Sequence, residues 1–237
     1  MALLDEIQKQ TDDIVRGRWD RRDGTVVPEN DDVGLGNEGV DLEATFLYAD
    51  LADSTELAVY NETIAAEVVK AYLMGTTRII RSQDGEIRSF DGDRVMGVFH
   101  EGAKNTNAAK AGLKINHFFS QILRPAFARV YTDTFPGTFD LKQTVGIDTS
   151  KVMAVRSGIR DNNDLVWIGR APNVAAKLSA IRDGYATYIT KAVYDVLNDT
   201  SKYGGDPRRL MWEAATWNKG AAYGVTDLYR SNWTWKP

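Results

Sequence analysis

The sequence predicts a single α+β domain, in which strands and helices alternate behind a polar N-terminal segment. Two short apolar runs, at 44–49 and 95–100, have the β-branched and aromatic character of buried strands. Between them, residues 65–81 place apolar side chains at helical spacing. The 237 residues are enough for one sizeable domain with embellishments, or for two small ones. We expect residues 42–237 to form the main domain and residues 1–41 to form an N-terminal helix and a wrapping linker.

Apolar spacing and turn residues predict the elements of the first half of the chain. The Asp-Gly pair at 91–92 is typical of a hairpin tip, and Asp53 with Glu56 has the pattern of a capping box at a helix start. In chain order, we expect a helix from residue 3 to residues 16–18, a loop over 23–41, a strand over 44–49, helices after 53 and over 65–81, and a hairpin of strands 86–90 and 95–100.

The second half is predicted in the same way. Residues 124–140 contain several aromatic side chains, which flexible linkers avoid, so this stretch is expected to be an ordered insertion. Pro172 suits the first turn of a helix. In chain order, we expect a helix over 105–123, the insertion, strands over 141–148 and 151–156, a strand over 165–168, a helix over 171–181 and a final strand over 225–229.

Composition excludes several classes of site and partner. The net charge of -4 gives no overall basic field, so we expect no nucleic-acid partner. The absence of cysteine excludes disulfides, thiolate catalysis and Cys-built zinc sites, and two histidines do not favour a His-rich metal site. No apolar run approaches about 20 residues, and the N-terminus lacks a basic region followed by an apolar one. These features predict a cytoplasmic protein without a membrane span.

Two acidic residues stand where they could hold metal ions. Asp50 ends the first apolar strand and Asp93 lies at the hairpin tip, so their carboxylates converge if the two strands are neighbours. Convergent carboxylates beside backbone carbonyls suit a pair of Mg²⁺ or Mn²⁺ ions, which can clamp a triphosphate. A strand-end Asp more often only begins a turn, and Asp91 is an alternative ligand in the same loop. The apolar register of residues 95–99 favours Asp93.

The order of the motifs resembles the catalytic domain of class III nucleotidyl cyclases over about 42–230. The matching features are the strand ending in Asp50, the Gly-Asp hairpin at 92–93, the Gly-Ile-Asp-Thr strand at 146–149 and the Gly-x-x-x-Asn helix at 169–173. Each motif alone is weak, whereas four in this order are specific. The resemblance implies nucleotide cyclisation on a ferredoxin-like βαββαβ core with extra strands and helices.

The resemblance also implies roles for individual residues. Asp50 and Asp93 match the residues that hold the metals, with the carbonyl of Leu51 as a further ligand, which implies two Mn²⁺ or Mg²⁺ ions per site. Thr55 matches the turn residue near the triphosphate, where backbone N–H groups can cradle phosphate oxygens. Asn173 matches the residue that orients the ribose.

Two lysines match cationic positions of the family imperfectly. Lys177 stands where the family usually has a transition-state Arg, and a Lys cannot make the bidentate fork of an Arg. A compensating cation is therefore implied, and Arg94 is one candidate. Lys219 resembles a phosphate-contacting Lys of the family, although Ala221 replaces the second Lys of that motif.

Ser89 and Val166 occupy the positions that select the base in purine cyclases. Similar cyclases carry Lys for ATP or Glu for GTP at the first position, and Asp, Thr or Cys at the second. Neither purine code is present here, and a buried polar base edge without a partner costs about 1–3 kcal/mol. Tyr48 could narrow the base pocket, or could be part of the strand core.

This departure resembles the pyrimidine cyclases of the bacterial Pycsar anti-phage systems, as does the run 48–55. The resemblance implies a homodimer with shared active sites that converts UTP, or CTP as second choice, to a cyclic nucleotide acting on a separate effector. Two alternatives stay open: a purine cyclase with an unusual base code, and a cyclase-like domain that binds nucleotide without turnover. The presence of both metal-binding Asp residues argues against the second.

Overall fold

The computed structural model describes residues 2–237, and its core is a mixed, nine-stranded sheet. The strands are β1 (Asp20–Asp23), β2 (Glu38–Ala52), β3 (Glu86–Asp91), β4 (Arg94–His100), β5 (Lys142–Ile159), β6 (Asn162–Gly169), β7 (Thr187–Thr190), β8 (Tyr203–Gly204), β9 (Arg209–Leu210), β10 (Glu213–Thr216) and β11 (Asp227–Ser231). The helices are α1 (Leu3–Arg16), α2 (Ser54–Tyr60), α3 (Glu62–Ser82), α4 (Lys104–Phe118), α5 (Arg124–Val130), α6 (Arg170–Ser179), α7 (Lys191–Asp195) and α8 (Asp199–Lys202).

The main sheet runs β10-β11-β7-β5-β2-β4-β3, with β1 beside β2 and β6 beside β5. The β1–β2 and β5–β7 pairs are parallel, and the other pairs of this sheet are antiparallel. Strands β8 and β9 form a separate small hairpin. None of the helices within residues 2–237 combines the length and the apolar character needed to cross a membrane.

Strand β2 is the centre of the sheet and is paired on both sides. Residues 44–50 pair with β4, and residues 40–52 pair with β5. Side chains alternate between the two faces, as a strand requires. Leu47, Ala49 and Leu51 pack with α3 and α4, whereas Ala44 and Phe46 pack on the face covered by α6. Burial on both faces therefore fixes the register of β2 and the direction of the side chain at position 50.

Helix α6 lies directly on β5 because Gly146 has no side chain. A Cβ atom at Gly146 would lie 2.2 Å from the carbonyl oxygen of Ala175 and 2.4 Å from the backbone nitrogen of Ser179. Gly146 pairs with Tyr48 of β2, so the C-terminal half of α6 covers the sheet beside Tyr48. The close approach places this helix next to the end of β2 that carries Asp50.

The N-terminal segment contributes to the sheet more than its sequence suggested. Strand β1 pairs with the first residues of β2, so strand replaces both ends of the loop expected over 23–41. Between these strands, Val27 and Val33 are buried in the core on the α6 face. Helix α1 forms as predicted and buries none of its side chains.

Two expected features differ in the structure. Asp53 lies before α2 in the left-handed region (φ 62°) and makes no side-chain capping bond, so the predicted capping box is wrong. The next helix, α3, is capped by Asn61, whose side chain accepts a hydrogen bond from the backbone nitrogen of Ile64 at 3.1 Å. The strands expected over 141–148 and 151–156 are one strand, because residues 149–151 continue the pairing with β2.

The helical region before β5 also differs in detail. The helix expected over 105–123 ends at Phe118, and a π-helical turn (Phe119–Leu123) joins α4 to α5. Helix α5 lies inside the stretch expected to be an insertion, with Pro125 in its first turn. The hairpin of β3 and β4 has the predicted position, and Gly92 at its tip has a positive φ of 62°.

Replacing Gly146 with Ala should separate α6 from the sheet. The atoms that a new Cβ meets include backbone atoms, which cannot rotate away, so we expect the free energy of unfolding to fall by about 1–3 kcal/mol. Urea unfolding measures this change. Gly36→Ala is the matched control, because a Cβ there meets nothing within 4 Å. Equal stability of Gly146→Ala and Gly36→Ala would contradict the described packing.

Candidate active site

The two predicted metal-binding residues lie side by side at one end of the sheet. Asp50 pairs with Arg94, the first residue of β4, and Asp93 immediately precedes Arg94. The side chain of Asp50 is only 16% exposed. Burial raises the pKa of Asp50, Arg182 opposes this shift, and the negative charge of Asp93 raises the pKa further. The convergence predicted from the sequence is therefore present within one chain.

A third residue at this site was missed by the sequence analysis. Nη2 of Arg182 donates to Oδ2 of Asp50 at 2.8 Å. Arg182 follows α6 in the chain and belongs to none of the four motifs. The residues around Arg182 therefore do not indicate that it lies beside Asp50. Only the packing of α6 beside β2 shows that its end reaches the carboxylate pair.

The carboxylate pair fits hard divalent cations. The two carboxylates influence each other electrostatically, and the guanidinium of Arg182 already supplies a positive charge to Asp50. Within residues 2–237, no group of three or more His, Asp or Glu side chains could hold a metal ion. Mg²⁺ typically binds proteins through one or two carboxylates together with substrate phosphates. The donor set of Asp50 and Asp93 therefore suits cations whose remaining ligands come from nucleotide and water.

Tyr48, Met96 and Ser89 form a row across three neighbouring strands. Met96 pairs with Tyr48 on one side and with Ser89 on the other, so the three side chains share one face of the sheet. A bulge between Ile87 and Ser89 sets this register. Tyr48 is half-buried, and burial raises the pKa of its hydroxyl. The row lies on the face of Asp50, two residues away along β2.

Arg94 interacts with Asp91 and Tyr48 and makes no hydrogen bond to Asp50. Its Nη2 donates to Oδ2 of Asp91 at 2.5 Å, and its guanidinium carbon lies 5.3 Å from the centre of the Tyr48 ring. Arg94 thus lies over the tyrosine ring and is bonded to Asp91, the alternative metal ligand. The cation bonded to Asp50 is Arg182.

The two predicted lysines line a cleft of about 700 Å³. Lys177 on α6, Lys219 on a 3₁₀ turn (Asn218–Tyr223) and Arg182 line it together. Nζ of Lys177 lies 5.3 Å from the centre of the Tyr223 ring. Arg182 therefore links the cationic cleft to the carboxylate pair, and the whole arrangement has the charge needed for a polyphosphate.

Val166 lies far from the other predicted base-binding residues. It pairs with Val155 on β5, next to Ala154, which pairs with Val40 of β2. Ten residues of strand separate Val40 from Asp50, a distance of about 33 Å. The side chain of Val166 is 43% exposed on the edge strand β6. One chain therefore does not bring Val166 together with Ser89.

Three predicted residues remain. Asn173 and Thr55 have exposed side chains, whereas Leu51 is buried and was predicted to act through its backbone carbonyl. Asn173 is exposed on the first turns of α6, and its side-chain nitrogen donates to the carbonyl of Gly169 at 2.9 Å. Thr55 is exposed on the first turn of α2, and Leu51 is buried in β2 immediately after Asp50. Thr55 and Leu51 lie close to the carboxylate pair along the chain.

An ion pair between the buried Asp148 and the partly exposed Arg170 fixes the start of α6. Asp148 is fully buried in β5 and accepts hydrogen bonds from Nε of Arg170 at 3.1 Å and from Oγ1 of Thr190 at 2.6 Å. Oγ of Ser150 accepts from the backbone nitrogen of Ala171 at 3.0 Å, which satisfies a free donor of the first turn. Burial raises the pKa of Asp148, although Thr190 and Arg170 oppose the shift. The strand motif and the helix motif thus meet in one polar network.

Comparison with solved structures defines the class of the fold. The adenylyl cyclase CyaB from P. aeruginosa superposes with a TM-score of 0.68 at 22% identity, covering 82% of this chain and 95% of that one. A dimeric guanylyl cyclase domain from Blastocladiella emersonii gives a TM-score of 0.57 at 14% identity, covering 81% of this chain and 97% of that one. The fold is that of a class III nucleotidyl cyclase catalytic domain, which confirms the predicted α+β fold class.

Full-length relatives then define the family. The chain is 39% identical over 239 residues to the uridylate cyclase of Rhodovulum sp. (strain MB263), and 40% identical over 238 residues to that of Xanthomonas perforans. Each comparison covers 100% of this chain and 99% of the relative. No protein-family model matches the chain. The protein belongs to the uridylate cyclase family, which confirms the predicted relationship and the predicted enzyme class.

Asp148 should make stability depend on pH. Because its pKa is raised in the folded protein, the folded state holds a proton that the unfolded chain has lost at the same pH. The contribution of Asp148 to the free energy of unfolding therefore falls as the pH rises from about 4, the ordinary Asp value, through the raised pKa.

Urea unfolding at several pH values measures this effect. The free energy of unfolding of Asp148→Asn should not show this decrease. The difference between the variant and the wild type should therefore shift in favour of the variant as the pH rises through this range. Asp227→Asn, at an exposed position of β11, is the control and should follow the wild-type curve. Parallel curves for Asp148→Asn and wild type would contradict the assignment.

Proposed function

We propose that this protein is a uridylate cyclase that converts UTP to 3′,5′-cyclic UMP and pyrophosphate. The observation that carries the proposal is the 39–40% identity over the whole chain to proteins named uridylate cyclase. The carboxylate pair and the cationic cleft supply the charges that such a substrate needs. Ser89 and Val166, which carry neither purine code, agree with a pyrimidine substrate.

The reaction is an in-line displacement at the α-phosphorus. The 3′-oxygen forms a bond to the α-phosphorus, the bond from that phosphorus to the bridging oxygen of the leaving pyrophosphate breaks, and the 3′-hydroxyl proton is released. Divalent cations, Mn²⁺ or Mg²⁺, two per site, supply hydroxyl activation and neutralisation of phosphate charge when they are bound. Asp50 and Asp93 would hold these cations, together with the carbonyl of Leu51.

The protein's own groups bind and orient the substrate. Lys177 and Lys219 attract phosphate oxygens in the cleft, and Thr55 lies near the phosphates. Asn173 orients the ribose. Tyr48 and Ser89 lie beside the base, and the guanidinium of Arg94 packs over the Tyr48 ring. A ring fixed by packing excludes a larger purine more effectively than a mobile one, because accommodation would require movement of its neighbours.

The active site is proposed to form between two copies of the chain. Eight residues of strand, about 26 Å, separate Tyr48 from Val40, which lies near the level of Val166, so a second subunit must supply Val166 if it contacts the base. An isologous dimer has two equivalent sites of this kind. The product is proposed to act on a separate effector in anti-phage defence, and the cytoplasmic location stays a prediction.

Loss of either metal-binding carboxylate should abolish cyclisation. We expect Asp50→Asn and Asp93→Asn to lower kcat by about 100-fold or more, because both cations depend on these oxygens. Turnover of UTP with Mn²⁺ measures the loss. Asp91→Asn, in the same loop but paired with Arg94, is the control and should retain most of the activity. A fully active Asp93→Asn with an inactive Asp91→Asn would reverse the assignment.

Mixing two inactive variants tests the shared site. If Asn173 acts on the substrate bound at the partner's carboxylates, a heterodimer of Asp50→Asn and Asn173→Ala contains one intact site. Random exchange makes half of the dimers heterodimers, so activity should recover to about 25% of the wild-type value. No recovery after exchange has been verified by mass spectrometry would place the complete site within one chain.

A panel of UTP, CTP, ATP and GTP tests the substrate. We expect kcat/KM for UTP to exceed that for ATP and GTP by at least about 100-fold, equivalent to about 2.7 kcal/mol of transition-state binding. Tyr48→Ala should lower UTP turnover and admit purines, whereas Tyr203→Ala, on the distant hairpin of β8 and β9, should change neither. Equal rates of cyclic AMP and cyclic UMP formation by the wild type would refute the proposed base selection.

A further inference from the structure

Arg182 bonds to the carboxylate that the proposed cations need. Its Nη2 lies 2.8 Å from Oδ2 of Asp50, and its side chain is 35% exposed. A cation that uses both oxygens of Asp50 must compete with this guanidinium. The free protein thus carries its own counter-ion at the predicted metal position.

A second set of bonds anchors the same guanidinium to the end of α6. Nη1 of Arg182 donates to the carbonyl oxygens of Ser179 at 2.5 Å and Ile181 at 3.1 Å. Oγ1 of Thr144 also donates to the carbonyl of Ile181, at 3.0 Å, which ties this turn to β5. Arg182 therefore keeps a fixed attachment on one side while its Nη2 is available to exchange one anionic partner for another.

The side chain of Arg182 also lies on the wall of the cationic cleft. Arg182 lines the 700 Å³ cleft with Lys177 and Lys219, so a phosphate oxygen that enters the cleft comes near all three. Arg182 supplies a planar guanidinium that can bind a phosphate through two N–H groups, which Lys177 cannot do. Arg94, the other candidate for this role, is bonded to Asp91.

We propose that Arg182 neutralises Asp50 in the metal-free enzyme and passes to the polyphosphate of the nucleotide when a divalent cation takes its place. This inference rests on the proposed function for the identity of the nucleotide. Its first half, competition between Arg182 and a cation for Asp50, is independent of any substrate. Arg182 is then the cation that compensates for Lys at position 177, and the exchange makes metal binding and nucleotide binding mutually favourable.

Two binding measurements on Arg182→Gln test the proposal without using activity. Manganese binding without nucleotide, followed by electron paramagnetic resonance, should tighten by about tenfold, because the competing hydrogen bond is removed. Affinity for 3′-deoxy-UTP, which lacks the attacking hydroxyl, should weaken by about tenfold in the presence of Mn²⁺ for the loss of one charge-assisted bond. Affinity for UMP, which lacks the β- and γ-phosphates, should change much less.

Arg230→Gln is the matched control. Arg230 lines the same cleft, but it is bonded to Glu213 and Asp183 and not to Asp50, so its loss should leave Mn²⁺ affinity unchanged. Arg182→Lys, which keeps the charge, covers the case in which Arg182→Gln fails to fold. It should retain wild-type Mn²⁺ affinity more closely than Arg182→Gln and recover part of the affinity for 3′-deoxy-UTP.

Unchanged or weaker Mn²⁺ binding by Arg182→Gln would overturn the proposal. If only Arg182→Lys folds, an affinity for 3′-deoxy-UTP equal to that of the wild type would overturn it. Tighter Mn²⁺ binding with unchanged 3′-deoxy-UTP affinity would overturn the transfer to phosphate. Failure of the proposed function is distinct from these outcomes. In that case the wild type would not make cyclic UMP, while the effect of Arg182 on Mn²⁺ binding without nucleotide would persist.

Discussion

The pairing of β2 on both of its edges is the constraint on which the candidate site depends. Strands β4 and β5 hold β2 through residues 44–50 and 40–52, and apolar side chains cover both faces. A shift of β2 by one residue would turn Tyr48 and Asp50 to the opposite face, into the core against α3 and α4. The same pairing sets Asp93 beside Asp50, because the register with β4 brings Arg94 opposite Asp50. The geometry of the carboxylate pair is thus a consequence of sheet packing.

The charges at the end of β2 are balanced before any substrate arrives. Asp50 and Asp93 repel each other in a half-buried setting, and Arg182 offsets this repulsion from the end of α6. Helix α6 is itself held at both ends, by the network of Asp148 and Arg170 at its start and by the bonds of Arg182 at its end. Its position over Gly146 therefore couples the carboxylate pair to the cationic cleft.

Much of the site was predictable because its motifs are local in the sequence. Asp50 ends an apolar strand and Asp93 follows the Gly of a hairpin, and both patterns depend on residues only a few positions away. The strand-to-helix motifs around Gly146 and Asn173 are likewise short. These signals were enough for the α+β fold, the cyclase class and the carboxylate convergence.

Contacts between distant segments were not predictable in the same way. The bond from Arg182 to Asp50 joins residues that are 132 positions apart, and no pattern near Arg182 distinguishes it from other exposed arginines. The predicted capping of α2 by Asp53 is wrong because that residue adopts the left-handed conformation, in which its side chain makes no capping bond. The break expected between 148 and 151 disappeared because pairing with β2 outweighs local turn propensity.

The central claim is that Asp50 and Asp93 form one cation site beside a polyphosphate cleft. Crystals grown with Mn²⁺ and 3′-deoxy-UTP, measured at the manganese absorption edge, test it most directly. The account predicts anomalous peaks within bonding distance of oxygens from both carboxylates and from the nucleotide phosphates. Clear density for the nucleotide without an anomalous peak at Asp50 and Asp93, or with manganese bound elsewhere, would contradict it.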